Sequence, residues 1–172
     1  MRRSDFELSS GREPECSCLS YVVGDKERHW WPPGPLATRR SDLLIPLGPP
    51  NVWPVDLPPD LSLPNVRALL SRLGFDDCKD PRTIDPRSSL VVAIFLDDGG
   101  APAHFAQQLA NGKWLSKLGD GFDIEHRTTH SVEGGANGTL AHHMCRPRTS
   151  AADAKHRSAV RRMLRAMIKG SR

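Results

Sequence analysis

The pattern of apolar and polar residues is clearest between residues 90 and 118, where it predicts three consecutive strands. Residues 90–96 form an unbroken apolar run, which is typical of a buried strand. A turn of two aspartates and two glycines follows, and residues 103–109 and 113–118 then flank the hairpin signal Asn111-Gly112. The pattern predicts an antiparallel meander, with residues 139–146 as a final strand.

Helical spacing of apolar residues predicts helices outside this meander. In residues 63–73, Pro64 suits the first turn and Gly74 ends the helix. One face of that helix would hold Val66, Leu69, Leu70 and Leu73. Residues 16–26 are predicted to begin as a helix capped by Ser17, and residues 151–168 to form an amphipathic helix.

Charge divides the chain unevenly and suggests its organisation. The last 27 residues hold nine Lys/Arg and one Asp, a net +8, which leaves −4 on residues 1–145 of the total +4. We therefore predict a flexible N-terminus at 1–14, one α+β domain at 15–148, and a basic C-terminal helix at 149–172. The fold class expected is α+β, a short antiparallel sheet with helices packed on it.

The lack of a recognisable targeting signal, together with the cysteine usage, predicts a cytoplasmic protein. No apolar run is long enough for a transmembrane segment, and the arginines near the N-terminus precede no apolar core of a signal peptide. Four cysteines in that setting indicate free thiols. The cysteines and histidines near residues 16–18 and 142–145 offer soft ligands for a metal ion, but their spacing is not that of zinc knuckles. We expect no metal and no cofactor.

Cys18 is the candidate nucleophile. It falls in the first turn of the predicted N-terminal helix, where unpaired amide donors and the helix dipole favour a thiolate. His104, on the second strand of the meander, is the candidate base. The competing interpretation makes Cys18 a buried small apolar residue and His104 an ordinary strand residue.

A third group should orient the imidazole, and the hairpin loop decides which residue can. A two-residue turn places Lys117 opposite His104, whereas a three-residue loop with a glycine bulge brings Ser116 onto the face of His104. Ser116 is therefore the candidate orienter. The cluster Asp123, Glu125 and His126 offers an alternative third member or a structural hydrogen-bonding strand.

The layout of a cysteine helix on a histidine-bearing sheet resembles papain-like and NlpC/P60-like cysteine hydrolases. The 12 positions from His104 to Ser116 are similar to the spacing of the two histidines in NlpC/P60 enzymes. The ordered strings CLSYVVGD, HWWPP, GFDDC, PAHFAQQLANGKWLSKLG and DIEH also resemble an uncharacterised bacterial family. This chain has Ser17 where that pattern has asparagine and Tyr21 where it has tryptophan, which would weaken an oxyanion hole.

Two functional hypotheses follow. The first is a cysteine peptidase or amidase in which His104 deprotonates Cys18, with the proline-rich stretch of residues 31–64 walling a groove for a peptide-like substrate. The second is a non-catalytic binding module that uses this stretch and the basic helix for a protein partner. Trp30 and Trp31 are better explained as core anchors than as a ligand platform. Binding of nucleic acid or an anionic surface by the basic helix is less favoured, because no aromatic residue is interleaved with the charges.

Overall fold

The computed structural model describes residues 6–12, 16–25, 28–32, 51–54, 56–78, 80–118 and 122–148. The predicted basic helix at 149–172 and most of the proline-rich stretch lie outside the described residues. A seven-stranded sheet dominates the structure. Its strands are β1 (Phe6–Arg12), β4 (Asp76–Asp77), β5 (Ser89–Leu96), β6 (Pro102–Gln108), β7 (Trp114–Lys117), β8 (Phe122–His126) and β9 (Thr139–Pro147). Their order in the sheet is β1-β8-β7-β6-β5-β9-β4, and all neighbours are antiparallel.

The predicted meander forms β5, β6 and β7, and the apolar run of β5 lies at its heart. β5 pairs with β6 on one side and with β9 on the other, so every backbone polar group of its middle can find a partner in the sheet. Successive side chains point to opposite faces, and both faces of β5 are buried. An unbroken apolar run is the sequence that such a strand requires.

Each face of the sheet packs a different set of residues. The helix side is the face on which the two helices pack, and it presents Val92, Ile94 and Phe105. The far side presents Val91, Ala93, Phe95 and other buried residues to Val132. Thr129–Val132 and Gly135–Asn137 are short 3-10 helices.

Two α-helices supply the other half of the helix-side core. α1 (Cys18–Val22) is only five residues long and begins at Ser17, whose side chain accepts a hydrogen bond from the Ser20 N–H in a reciprocal capping box. α2 (Leu63–Arg72) begins at Ser62, and its apolar stripe is buried against the sheet as predicted. The burial of Leu69 and Leu70, both fully inaccessible, fixes the position of α2.

Trp30 and Trp53 are buried in the helix-side core. Trp30, in the two-residue strand β2 (His29–Trp30), is fully buried and donates its indole N–H to Asp25 Oδ2 at 2.8 Å. β2 pairs in parallel with β3 (Asn51–Val52), and the neighbouring Trp53 donates its indole N–H to the Pro58 carbonyl at 2.8 Å. The interpretation of Trp30 as a core anchor is confirmed.

The predicted α+β class is wrong. The described chain is mainly an antiparallel sheet of seven strands with one helix longer than five residues, and not a short sheet covered by helices. The prediction failed because residues 6–12, expected to be flexible, form the edge strand β1, and because β9 crosses back to join β5 and widen the sheet. With the class overturned, the papain-like and NlpC/P60-like topology is not supported either. Among the described residues, no helix has the length and apolarity needed to cross a membrane.

Candidate functional site

Cys18 lies at the first position of α1, as predicted, but its thiol is packed inside the protein. The residue is 6% exposed and belongs to the helix-side core. Burial raises the pKa of the Cys18 thiol to about 11, although hydrogen bonds from the backbone of Phe105 and of the helix start act in the opposite direction. At neutral pH the residue is therefore a thiol, which is the poorly nucleophilic form.

His104 lies on the far side of the sheet. It precedes Phe105 in β6, and alternation along the strand sends their side chains to opposite faces. The imidazole packs against the Phe95 ring, with centroids 5.5 Å apart, and its Nε2 is buried without a hydrogen-bond partner. Burial, reinforced by the neighbouring His126, lowers the pKa of His104 to about 4, so the ring is neutral and weakly basic.

Ser116 shares the far side with His104. Leu109 donates its backbone N–H to the Lys113 carbonyl at 2.7 Å, which closes a three-residue loop and pairs Ala106 with Ser116. Gly112, at φ 85°, supplies the left-handed conformation that this loop needs. Of the two hairpins considered from the sequence, the three-residue loop is the one present.

The hydrogen-bond partner of Ser116 is His126 and not His104. Ser116 Oγ lies 2.8 Å from His126 Nε2, and His126 Nδ1 lies 2.7 Å from the Thr128 carbonyl oxygen. Because a carbonyl only accepts, Nδ1 carries the proton, and the serine hydroxyl then donates to Nε2. Burial lowers the pKa of His126 and keeps this tautomer neutral. The arrangement has the connectivity of a serine–histidine pair, but Ser116 is fully buried and His126 is 1% exposed.

The structure thus brings Ser116, His126 and His104 to one face and leaves Cys18 on the other. The sulfur is in contact with the β6 backbone from the helix side, while the imidazole of His104 projects to the far side. No proton can pass directly from the thiol to that imidazole in this arrangement. The four side chains behave as core residues of two separate layers.

A buried ion pair was missed from the sequence. Lys117 Nζ and Asp123 Oδ1 are 3.4 Å apart on the neighbouring strands β7 and β8, and their side chains are 0% and 2% exposed. The two residues are directly opposite in the register of the strands. The signal was present, since strands bearing SKLG and DIEH can place opposite charges face to face, but the sequence suggested a turn and not continuous pairing there.

Two large apolar side chains in the described part of the chain are exposed. Leu8 on β1 is 65% exposed and Phe122 on β8 is 46% exposed, and they are the exposed large hydrophobic residues of the described chain.

Potential metal ligands do not converge: within the described ranges no group of three or more His, Cys, Asp or Glu side chains is arranged to hold an ion.

The fold and the site together define a mainly antiparallel β-sheet protein whose candidate nucleophile is a core thiol. The chain belongs to the family described as Domain of unknown function (DUF7689), whose family model matches residues 7–145. That match agrees with the resemblance of the ordered motifs to an uncharacterised family, and extends it to β1. No curated protein and no solved structure matches the chain.

Proposed function

We propose that this domain is a non-catalytic binding module that takes up an extended partner segment along the outer side of β1. The observation that carries the proposal is the exposure of two large apolar side chains on one face at this end of the sheet, Leu8 on β1 and Phe122 on the adjacent β8. We call the outer side of β1, with these two side chains, the β1 edge.

The backbone of β1 supplies the first part of the argument. β1 stands at the end of the strand order and pairs with β8 through Phe6–His126, Glu7–Glu125 and Leu8–Ile124. The register shifts after Leu8, and Arg12 is opposite Phe122. Within the described residues no strand pairs with its other side. An edge strand presents a row of backbone donors and acceptors that another extended chain can use, which is the basis of binding by strand addition.

The side chains supply the second part. Leu8 is opposite Ile124, and Phe122 is two residues before Ile124 on β8, so Leu8 and Phe122 share a face of the sheet as diagonal neighbours. Exposed large apolar residues that adjoin one another are favoured positions for a partner. A strand added to β1 would cover Leu8 with its own side chains.

Charge defines the partner more closely. Glu7 alternates with Leu8 and points to the opposite face, where Lys113 Nζ lies 3.3 Å from both Glu7 and Glu125. Two carboxylates and one ammonium leave this cluster with a net negative charge, and the Glu7 side chain is 77% exposed. The segment that fits is extended, with an apolar residue against Leu8 and a Lys or Arg next to it against Glu7.

The hydrolase hypothesis stays a prediction. It would need Cys18 and His104 to reach the same side of the sheet, the thiol to become accessible, and its pKa to fall from about 11. The binding proposal needs none of these rearrangements. Cytoplasmic location likewise stays a prediction.

The proposal is tested by selecting peptides from a random displayed library on the purified full chain. The matched variants are Leu8→Lys at the edge and Ala141→Lys, an exposed alanine on β9, five places from β1 in the sheet. Burying a leucine contributes about 1.5–3 kcal/mol, so Leu8→Lys should weaken the selected peptides at least about tenfold. Ala141→Lys should leave their affinity unchanged. Equal binding to both variants, or no enrichment of apolar-basic extended peptides, would overturn the proposal.

Alkylation separates the two hypotheses directly. In the folded protein iodoacetamide should label Cys18 no faster than Cys145, because the Cys18 thiol is buried and its pKa is raised. Selective, rapid labelling of Cys18 with a thiolate pKa below neutral would instead favour the cysteine hydrolase.

A further inference from the structure

Cys78 and Cys145 meet at the opposite end of the sheet from the β1 edge. β4 pairs with β9 so that Asp76 is opposite Cys145 and Asp77 is opposite Met144. The Cys78 N–H continues this register by donating to the His143 carbonyl at 3.0 Å. Cys78 therefore shares the face of Asp76 and Cys145, and the neighbouring Cys145 thiol is one of the groups that raise the pKa of Cys78.

We propose that Cys78 and Cys145 are a redox-active thiol pair that closes to a disulfide and thereby locks β4 onto β9. Both are free and only partly buried, in contrast to Cys16 and Cys18, which are buried. The two thiols are diagonal neighbours on one face of an antiparallel strand pair. Diagonal Cα atoms in such a pair are about 7–8 Å apart, at the upper limit of what a disulfide can span. Closure would therefore draw the short strand β4 towards β9.

The chemistry requires an oxidant, and a low-molecular-weight disulfide such as oxidised glutathione supplies it. One cysteine of the pair loses its proton and attacks a sulfur of that disulfide, which forms a mixed disulfide and releases one thiolate. The second cysteine then loses its proton and attacks the protein sulfur of the mixed disulfide, releasing the second thiolate. The protein loses two protons and two electrons, and the small disulfide takes them up to become two thiols.

The rate of closure should depend on pH. Burial, with the neighbouring Cys145 and Asp80, raises the pKa of Cys78 to about 12, so little of its thiolate is present at neutral pH. Oxidation should accelerate as pH rises from about 7 to 9, because the attacking species is the thiolate.

The disulfide would act on a weakly anchored part of the fold. β4 has only two residues, and Asp77 ties it to its surroundings through Arg67 of α2 and through His142 of β9, whose Nε2 is 2.8 Å from Asp77 Oδ1. Both contacts lie at the surface, where polar and charged pairs contribute little in water. A covalent bond from Cys78 to Cys145 would hold the α2–β4 segment to the sheet irrespective of those charges.

The test uses the full chain, reduced and then incubated with oxidised glutathione at pH 8. We expect a mass loss of two hydrogen atoms, a cross-linked peptide joining Cys78 to Cys145, and Cys16 and Cys18 still reduced. The melting temperature should rise on the order of 5–10 °C, as expected for a disulfide that closes a long loop. Dithiothreitol should reverse the change.

The controls are Cys78→Ser and Cys145→Ser, which should show no rise in melting temperature after the same treatment. A stable glutathione adduct on one residue of the pair, without cross-linking, would overturn the proposal. So would cross-links that involve Cys16 or Cys18, or a disulfide that leaves the melting temperature unchanged.

Discussion

Replacement of His104 should remove part of the acid sensitivity of this protein. The imidazole is 2% exposed, packs on Phe95 and leaves Nε2 without a partner, so a proton there would be a buried, unpaired charge. Its pKa is about 4 in the folded state against an ordinary value of 6.5. Because the folded pKa is the lower one, the unfolded chain binds the proton first as pH falls. The contribution to stability is intact above pH 6.5 and is lost between pH 6.5 and pH 4.

The magnitude follows from that difference. One pKa unit corresponds to about 1.4 kcal/mol, so the whole effect is about 3 kcal/mol and about 2 kcal/mol of it is lost by pH 5. His126, on the same face, also has its pKa lowered by burial and adds to the effect with the same sign.

Urea unfolding at pH 7 and pH 5 measures the effect. Wild type should lose about 2 kcal/mol more than His104→Phe between the two values, since phenylalanine fills the site and takes up no proton. His104→Gln tests the same point without added ring volume. His130→Gln, which removes an exposed imidazole, should keep most of the wild-type acid sensitivity. Parallel losses in wild type and both His104 variants would refute the reasoning.

Two further predictions concern the sheet. Lys117→Met should destabilise the protein by about 3–5 kcal/mol, because it removes the cation that Asp123 faces in the core. Adding Asp123→Leu should restore most of that loss, as measured by chemical unfolding of the single and the double variant. A double variant as unstable as the single one would count against the prediction. Gly138→Ala should cost on the order of 3 kcal/mol or more, because Gly138 has φ +73° and a Cβ there would lie 2.1 Å from the Leu96 carbonyl oxygen. Gly112→Ala, at φ +85° with open space around it, is the matched control and should cost about 1 kcal/mol in thermal unfolding.

Local elements could be predicted from the sequence because their signals are local. The apolar run of β5, the Asn111-Gly112 hairpin and the helix start marked by Pro64 each specify a structure within a few residues, and the structure contains all three. The N-cap at Ser17 was likewise predicted, and the helix after it ends at Val22, two residues before Gly24.

The assembly of these elements could not be predicted in the same way. β1 has the sequence FELSSGR, whose polar serines and glycine give no strong strand signal, and it forms by pairing with the distant β8. The face of each candidate side chain depends on strand parity and on which layer the helices cover. Ser116 and His104 fell on one face because the hairpin loop has three residues. Cys18 fell on the other because α1 packs over Phe105.

The return of β9 to the side of β5 also governs the order in which the chain can fold during synthesis. Until residue 147 has left the ribosome, β5 has only β6 beside it, and its apolar residues offer an open strand to any neighbouring chain. Exposed strands of this kind are where nascent proteins associate wrongly. β9 therefore protects β5, the first strand of the meander, and slow translation of the segment between them would prolong the interval in which β5 is open to wrong pairing.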